Sequence, residues 1–451
     1  MQGWDPKLIA KYNINGPRYT SYPTALALTD EFDLGKVQVA IDGSRDDLSL
    51  YIHIPFCHKL CYYCGCNKVI TRHQHKADNY LDALELEMAL YEQKLQGKRI
   101  HQIHLGGGTP TFLTNSQLSR LLLALHRHFD IAVDAELSIE IDPRSCNDDK
   151  LRHLRKLGFG RVSFGVQDLD EKVQIAINRV QETDLIRHQV ALCRELGFAS
   201  INLDLVYGLP YQHPESFAET LAEIVRLSPD RISLFSYAHL PARFAAQRKI
   251  PDASLPTSAT KLALLQQSIE AFEQAGYQFI GMDHFAKPDD ELAKAQQQGK
   301  LQRNFQGYTT HGQDALIGLG VSSISQVNGV LWQNAKELPA YYEAMPQRSL
   351  PVQKGFSLCD DDKMRAALIS QLICHFNLDI PAFCQTWQLA DFWRTFADAY
   401  DSLRPFIDDG LVRVTDSQLE VLPKGRFWVR SICACFDAYL QQGQMRYSKV
   451  V

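Results

Sequence analysis

Residues 51–68 have the sequence YIHIPFCHKLCYYCGCNK, in which four cysteines fall within ten residues directly after a strand-like run. Cysteines this closely spaced usually share a metal ion or a cluster. In α/β folds, the loops that follow buried strands carry the chemistry. We therefore expect the remainder of the chain to serve as a scaffold for this loop.

The spacing Cys57-x3-Cys61-x2-Cys64 favours an iron–sulfur cluster. A structural zinc site pairs two short Cys/His units that are separated by a longer segment, and the sequence has no second unit of that kind. Three thiolates on one tight loop instead hold three irons of a [4Fe–4S] cube and leave the fourth iron open for chemistry. The aromatic ring of Tyr63 is placed to shield one face of such a cluster. A zinc site or a disulfide remains the alternative interpretation.

This cysteine pattern, with an aromatic residue before its third cysteine, resembles the radical S-adenosylmethionine superfamily. The flanking residues Tyr51–Phe56 and Gly65–Lys68 are similar to the family of oxygen-independent coproporphyrinogen III dehydrogenases, and the likeness runs over nearly the whole chain. The resemblance implies a [4Fe–4S] cluster on Cys57, Cys61 and Cys64. It also implies S-adenosylmethionine bound at the open iron, with room for a second molecule beside it.

The family's activity is the decarboxylation of two propionate side chains of coproporphyrinogen III to vinyl groups without oxygen, which gives protoporphyrinogen IX. The resemblance implies that a reduced cluster splits S-adenosylmethionine into methionine and a 5′-deoxyadenosyl radical. That radical takes a hydrogen atom from the β-carbon of a propionate. The resemblance further implies a one-electron donor such as flavodoxin or ferredoxin, and a monomeric protein.

The fourth cysteine, Cys66, separates two classes of protein. Haem chaperones of the same superfamily resemble this family through most of the barrel but carry another residue at that position. We therefore assign Cys66 to catalysis, while a small half-buried thiol is the alternative on spacing alone. The alternative functions are a haem-binding chaperone and a radical S-adenosylmethionine enzyme acting on another anionic substrate.

Composition limits the class of protein further. The chain has 451 residues, of which 45% are hydrophobic and 22% charged, so at least two domains with large cores are expected. A formal net charge of −5 argues against a general nucleic-acid binder. No apolar run approaches membrane-spanning length, and we expect no membrane association. Eleven cysteines, an odd number, favour a reducing cytoplasm over a disulfide framework.

A βα rhythm begins near residue 48 and predicts an open six-unit (β/α)6 partial TIM-like barrel. Short β-branched or alternating runs alternate with segments whose apolar residues recur at helical spacing. The predicted strands are Leu50–Ile54, His101–Leu105, Glu136–Ile141, Arg161–Val166, Ser200–Val206 and Arg231–Phe235. The predicted helices are Tyr80–Leu95, Ser116–Phe129, Asp148–Leu157, Leu185–Leu196 and Pro214–Leu227.

We predict three regions, namely an N-terminal arm (1–48), the barrel with an extension (49–357) and a C-terminal helical lid (358–451). Two prolines in Gly16–Pro23 predict extended structure, which we expect to lie over the barrel mouth. The C-terminal region is similar to a winged helix but shows no basic recognition helix. Its predicted elements are helices at Met364–Cys374, Ile380–Trp387, Asp391–Asp401 and Gly425–Leu440, and a hairpin at Leu411–Val414 and Leu419–Leu422. Cys433 and Cys435 are interpreted as buried thiols.

Polar or glycine-rich residues follow the predicted strands, where the functional groups of a parallel barrel are found. Each has a plain alternative, such as a tight turn for the glycines, a solvated charge for an acidic or basic residue and a surface hydrogen bond for a glutamine. Arg18 and His53 are weaker candidates for contacts to the substrate. The family resemblance implies that eleven residues of this chain occupy positions that contact S-adenosylmethionine. They are Tyr51, Tyr63, Gly107, Gly108, Thr109, Glu140, Gln167, Arg179, Asp204, Ala238 and Ile324.

Overall fold

The structure is a computed structural model, which describes residues 8, 11–12, 16–44, 47–311 and 315–440. The chain divides into two compact units. We call one the barrel unit (Leu28–Ala275 and His311–Ser357) and the other the terminal unit (Met1–Ala27, Gly276–Thr310 and Leu358–Val451). The three predicted regions stay a prediction, and parts of the arm and the last residues of the lid lie outside the described residues.

One open parallel sheet forms the centre of the barrel unit. Its strands are β1 (Leu48–Ile54), β2 (Arg99–Gly107), β3 (Asp130–Ile141), β4 (Arg161–Gln167), β5 (Ser200–Tyr207), β6 (Arg231–Ser236) and β7 (Ala315–Leu319). They pair in the spatial order β7-β1-β2-β3-β4-β5-β6. The predicted open α/β barrel is confirmed, and β7 adds a parallel strand that the six-unit prediction did not contain.

The strand β7 extends the sheet beside β1, with Tyr51 opposite Gly318. All five of its residues are buried, as expected of a strand covered on both faces. Beyond it the sheet continues in antiparallel order through β8 (Ile324–Val327), β9 (Val330–Asn334) and β10 (Val352–Ser357). The segment around Gly318–Ser325 therefore belongs to the sheet, next to the strand that leads into the cysteine loop.

Helices connect the strands of the barrel unit. In Asn115–His128, Leu118, Leu121 and Leu125 are buried on one face, and Thr114 caps the N-terminus. Among the described residues, no helix has the length and apolar character needed to cross a bilayer. The helices are Gly35–Gly43, His75–Lys94, Asn115–His128, Asp148–Lys156, Glu171–Ala176, Thr183–Glu195, Pro214–Leu227, Ser258–Gln274 and Leu338–Ala344. The five predicted ones are confirmed.

The terminal unit is mainly helical, with short strands. Two predicted helices are wrong as continuous elements. The helix predicted at Asp391–Asp401 is broken because Phe396 leaves the helical conformation, and the one at Gly425–Leu440 is a 3-10 turn, Pro423–Trp428, followed by Val429–Ala434. The helices are Glu291–Gln297, Asp360–His375, Ile380–Trp387, Phe392–Thr395, Ala397–Asp408 and Val429–Ala434. The strands are Gln278–Gly281, His284–Ala286, Gln302–Asn304, Gly307–Thr309, Asn377–Asp379, Val412–Val414 and Gln418–Val421.

The Gly16–Pro23 segment packs on its own unit. It is not helical, but it bends at residues 20–23 and Tyr19 has a left-handed φ of 45°, so the prediction of extended structure is wrong for this part. The buried guanidinium of Arg430 donates to the carbonyls of Gly16 (2.5 Å) and Pro17 (2.9 Å). Tyr19 is buried and donates to Asp437 at 3.0 Å. These hydrogen bonds replace those that the backbone of the segment would otherwise make with water. The placement of this segment over the barrel mouth stays a prediction.

The buried carboxylate of Glu87 holds the chain directly after β7. Glu87 accepts hydrogen bonds from the Gly320 amide (2.7 Å), the Asn334 side chain (2.7 Å) and the Tyr341 hydroxyl (2.6 Å). Burial raises the pKa of Glu87 to about 7, against the lowering effect of these donors. On the same helix Tyr80 donates to the carbonyl of His53 in β1 at 2.7 Å. The helix thus fixes the ends of β1 and β7 relative to each other.

Candidate functional site

The cysteine loop is closed at its base by backbone pairing. Immediately after β1, the short strand Phe56–Cys57 pairs in parallel with Val69–Ile70. The Val69 amide donates to Pro55 at 2.7 Å. Further along the loop, the Tyr62 amide donates to the carbonyl of Ile177 at 2.9 Å. The loop is therefore tied at both ends and at its middle, which presents its thiols at the carboxyl edge of the sheet.

Two of the three predicted ligand sulfurs receive hydrogen bonds from other parts of the barrel. The Thr109 hydroxyl donates to the sulfur of Cys57 at 3.2 Å. The sulfur of Cys61 lies 3.4 Å from Nη2 of Arg144 and 3.5 Å from Nη1 of Arg179. Both cysteines are buried, with exposures of 8% and 7%. Donors of this kind stabilise negative charge on sulfur and orient the ligands of a cluster.

The third sulfur has a partner inside the loop. Cys66 interacts with Cys64, and this interaction lowers the pKa of Cys64 to about 6 against the raising effect of burial. The ammonium of Lys68 donates to the carbonyls of Cys64 (2.9 Å) and Cys66 (3.3 Å). Cys66 itself is exposed. The structure therefore places the fourth thiol beside the third, on the open side of the loop.

These residues fit a [4Fe–4S] cluster better than the alternatives. In the part of the chain that the structure describes, no three His, Cys, Asp or Glu side chains converge on a single-ion site, so the geometry gives no support to zinc. All eleven cysteines are free thiols, which leaves the disulfide interpretation without support. A four-iron cube takes each thiolate on a separate iron, so its ligands stand apart. Three thiols on one closed loop, two of which accept hydrogen bonds from other parts of the barrel unit, meet that requirement.

The glycines after β2 pack directly against the cysteine loop. Gly107 has φ +114°, and a Cβ there would lie 2.6 Å from the imidazole of His53. A Cβ on Gly108 would lie 2.6 Å from the carbonyl oxygen of Pro55. Both positions thus require glycine for the approach of β2 to β1. The tight-turn interpretation accounts for this requirement, while a contact of the same backbone with a ligand stays a prediction.

Glu140 at the end of β3 joins the neighbouring strands. Its carboxylate accepts a hydrogen bond from the Gly107 amide at 3.1 Å and lies 3.5 Å from Nε2 of His104. The ring of His104 stacks on Tyr51, whose hydroxyl lies 3.0 Å from Nδ1 of His53. The side chain of Glu140 is 45% exposed. A partly exposed carboxylate therefore stands beside Tyr51 and Gly107, which are two of the predicted cofactor residues.

The side chain of Arg179 is buried and its guanidinium contacts several groups of the protein. Its Nη2 donates to the carbonyl of Gly165 at 2.6 Å, and its Nη1 lies 3.4 Å from Asp142. Arg144 pairs with the same carboxylate at 2.7 Å. Burial alone would raise the pKa of Asp142, but the two guanidinium groups outweigh it and lower that pKa to about 2. Of the guanidinium nitrogens of Arg179, only Nε is buried without a hydrogen-bond partner.

Gln167 is the last residue of β4, and Asp204 lies within β5, three residues before its end. Gln167 is buried in a left-handed conformation (φ 68°), at a register shift between β4 and β5. Asp204 accepts hydrogen bonds from Asn202 (2.8 Å) and Ser163 (3.0 Å). Burial, and then the nearby charge of Glu140, raise the pKa of Asp204 to about 6. The two carboxylates therefore face a common space.

Two further predicted residues are brought together by Gln247. Its amide donates to the carbonyls of Tyr63 (3.0 Å) and Ala238 (3.2 Å), which joins the cysteine loop to the segment after β6. Ile324 lies on the opposite side of β1, at the start of β8, with its carbonyl packed against Gly318. Of the predicted residues, Thr109 and Arg179 contact sulfurs of the loop, and Gln247 joins Ala238 to it.

The structure also identifies residues that the sequence prediction missed. Arg144 and Gln247 contact the cysteine loop, and His104 lies beside Glu140. Arg144 follows β3 by three residues, so the rule of strand ends could have identified it. Arg18 and His53, the weaker candidates for contact with the substrate, both interact with other residues of the chain. His53 is buried against Tyr51 and the Asn67 carbonyl, and Arg18 pairs with Asp283 at 3.3 Å.

Two family models match the chain. The first, the radical SAM superfamily, matches residues 51–224, which include the cysteine loop and β1 to β5. The second, the HemN C-terminal domain, matches residues 358–428 in the terminal unit. The two matches therefore fall on different units of the chain.

Similar proteins match over nearly the full length. Oxygen-independent coproporphyrinogen III oxidase from Salmonella typhimurium is 51% identical over 99% of this chain and 98% of the relative. The protein of the same name from Escherichia coli strain K12 is also 51% identical, over 99% and 98%. A solved structure of coproporphyrinogen III oxidase from Escherichia coli, described as a radical SAM enzyme, matches with a TM-score of 0.93 and 50% identity. That match covers 97% of this chain and 99% of the other.

Proposed function

Because this chain belongs to the oxygen-independent coproporphyrinogen III oxidase family of the radical SAM superfamily, we propose that it converts coproporphyrinogen III to protoporphyrinogen IX without oxygen. In each of two rounds one propionate side chain loses a hydrogen atom, carbon dioxide and one electron, and becomes a vinyl group. The observation that carries this proposal is the closed cysteine loop, in which the sulfurs of Cys57 and Cys61 accept hydrogen bonds from Thr109 and Arg144.

When bound, the cluster and S-adenosylmethionine supply the one-electron chemistry that removes hydrogen from an unactivated carbon. The residues of the chain hold and shield these groups. Cys57, Cys61 and Cys64 are proposed as the iron ligands. The proposed contacts to S-adenosylmethionine are Tyr51, Tyr63, Gly107, Gly108, Thr109, Glu140, Gln167, Arg179, Asp204, Ala238 and Ile324, and their positions around the loop support that role.

Glu140→Gln is expected to weaken S-adenosylmethionine binding by about 10- to 100-fold, the usual effect of losing a hydrogen bond to a charged group. Glutamine keeps an acceptor for the Gly107 amide but removes the negative charge. Iron content should stay unchanged because Glu140 touches none of the three thiols. Equilibrium dialysis with labelled S-adenosylmethionine would measure the affinity. Glu92→Gln on the outer helix is the control, and a wild-type affinity in Glu140→Gln would contradict the assignment.

The rival function is a haem-binding chaperone built on the same barrel. Cys66 favours the enzyme, since its thiol stands exposed beside Cys64 at the open side of the loop. A chaperone would have no need of a thiol there. We also propose a one-electron donor such as flavodoxin or ferredoxin, a monomeric protein and a location in the cytoplasm.

An anaerobic turnover assay tests the function. The purified protein, loaded with iron and sulfide, is given a reductant, S-adenosylmethionine and coproporphyrinogen III. Protoporphyrinogen IX, carbon dioxide and methionine are then measured. We expect all three products, and omission of S-adenosylmethionine should abolish them. Haem binding without any decarboxylation would favour the chaperone, and methionine release without porphyrin product would indicate another substrate.

A further inference from the structure

The outer side of the cysteine loop carries a cluster of basic side chains. The two residues that follow Cys57, His58 and Lys59, are exposed, whereas Cys57 and Cys61 are buried. The segment between Cys57 and Cys61 therefore reaches the surface. Because electron transfer requires close approach, this segment is a natural place for a donor to reach the cluster that the loop is proposed to hold.

Four cations surround that segment, and we call them the loop cations: Lys59, Arg72, Lys150 and Lys249. Arg72 follows Thr71, whose amide donates to the carbonyl of Cys57 at 3.0 Å. The ammonium of Lys150 donates to the carbonyls of Thr111 and Leu113, on either side of Phe112, whose ring lies 4.5 Å from that of His58. The ammonium of Lys249 lies 5.0 Å from the ring centre of Tyr62, the residue after Cys61. Three of the four are exposed, and Lys150 is partly buried. Within residues 47–311, as described, none of the four forms an ion pair with a carboxylate.

The carboxylates closest in sequence are engaged elsewhere. Asp142 pairs with Arg144 and Arg179. Asp148 lies 2.8 Å from His188, and Asp149 accepts from Asn115 at 2.6 Å. The surface over the loop is therefore positive in a chain whose formal net charge is −5. An acidic protein would be repelled by the chain as a whole and attracted at this surface, which fixes where it docks.

We propose that the loop cations are the docking surface for an acidic one-electron carrier protein that reduces the cluster. This inference rests on the proposed function. One electron leaves the reduced carrier and enters the oxidised cluster, so the carrier is oxidised by one electron and the cluster is reduced by one. Charge complementarity sets the position of the carrier, and docking there brings it against the loop that bears Cys57 and Cys61.

The test compares two reductants on the iron-loaded full-length chain. One is a bacterial flavodoxin of negative net charge in its fully reduced form. The other is photoreduced 5-deazariboflavin, which is small and uncharged. The variant is Lys59→Glu/Lys249→Glu. Its control, Lys36→Glu/Lys156→Glu, makes the same change in net charge at exposed lysines elsewhere in the barrel unit. Stopped-flow bleaching of the cluster absorbance, without substrate, gives the second-order rate constant for each reductant.

We expect flavodoxin to reduce Lys59→Glu/Lys249→Glu at least about tenfold more slowly than the wild type or the control, because electrostatic steering contributes about 10- to 1,000-fold to association rates. The rate with deazariboflavin should be unchanged, and added salt should slow the wild type more than the variant. A wild-type rate with flavodoxin would overturn the proposal. An equal loss with both reductants would also overturn it, because the lysines would then act on the cluster itself.

A third outcome assigns the surface to another partner. If flavodoxin reduces the variant normally, and a labelled RNA binds the wild type but not Lys59→Glu/Lys249→Glu, the loop cations bind nucleic acid and the docking proposal is wrong. The failure of the proposed function is distinguishable from these results. In that case cluster reduction by flavodoxin would depend on the loop cations while coproporphyrinogen III stayed unchanged.

Discussion

Replacing Cys57, Cys61 or Cys64 by alanine is expected to abolish the [4Fe–4S] signal and all cleavage of S-adenosylmethionine. The three thiols lie on one closed loop, and loss of any one leaves two ligands for a cluster that needs three from the protein. The hydrogen-bond donors around them, Thr109 and Arg144, cannot replace a thiolate. Iron and sulfide analysis, electron paramagnetic resonance of the reduced protein and methionine release would measure the losses.

Cys193→Ala is the matched control for these three variants. Cys193 is a buried thiol of the same unit, on the helix Thr183–Glu195, and should keep its iron when replaced. Cys64→Ala needs a second test because Cys66 lies two residues beyond Cys64 and interacts with it. If a cluster forms in Cys64→Ala but not in Cys64→Ala/Cys66→Ala, the third ligand would be assigned to Cys66. An intact cluster in Cys57→Ala or Cys61→Ala would contradict the cluster assignment itself.

An element of the fold could be predicted from the sequence where the pattern that identifies it lies within the element itself. The helix Pro214–Leu227 was predicted to the residue, because its apolar period is regular and a proline marks its first turn. The strand β7 was missed because it pairs with β1, which lies far earlier in the chain. A strand of five buried residues has no alternation to reveal it, and the pattern cannot show that it returns to the first strand.

The site could be predicted in part for the same reason. Glu140 and Gly107 follow successive strands, and parallel pairing brings them to within hydrogen-bond distance. Gln247 lies 184 residues from Tyr63, and only the folded chain shows that its amide joins them. Arg144 resembles a surface charge in the sequence. The structure turns it against Asp142 and the sulfur of Cys61, because Pro143–Ser145 forms a tight turn directly after β3.

Cys66→Ala is expected to assemble its cluster but to lower porphyrinogen decarboxylation by about 10- to 100-fold, the usual effect of losing a residue adjacent to a metal ligand. Cys57, Cys61 and Cys64 complete the protein's share of the cluster without it. A fourth thiolate would occupy the iron that S-adenosylmethionine needs. The thiol of Cys66 is exposed at the open side of the loop, where it is available to a second S-adenosylmethionine or to a substrate radical.

Comparison of iron content with turnover separates this role from a structural one. If Cys66 only supported Cys64 as its neighbour in the loop, iron content and decarboxylation would fall together. A catalytic thiol predicts normal iron and normal binding of S-adenosylmethionine with slow formation of protoporphyrinogen IX. Cys384→Ala, which removes a half-buried thiol in the terminal unit, should leave all three quantities unchanged. Full decarboxylase activity in Cys66→Ala would show that the thiol is not catalytic, and the residue-level argument against a haem chaperone would lose its main support.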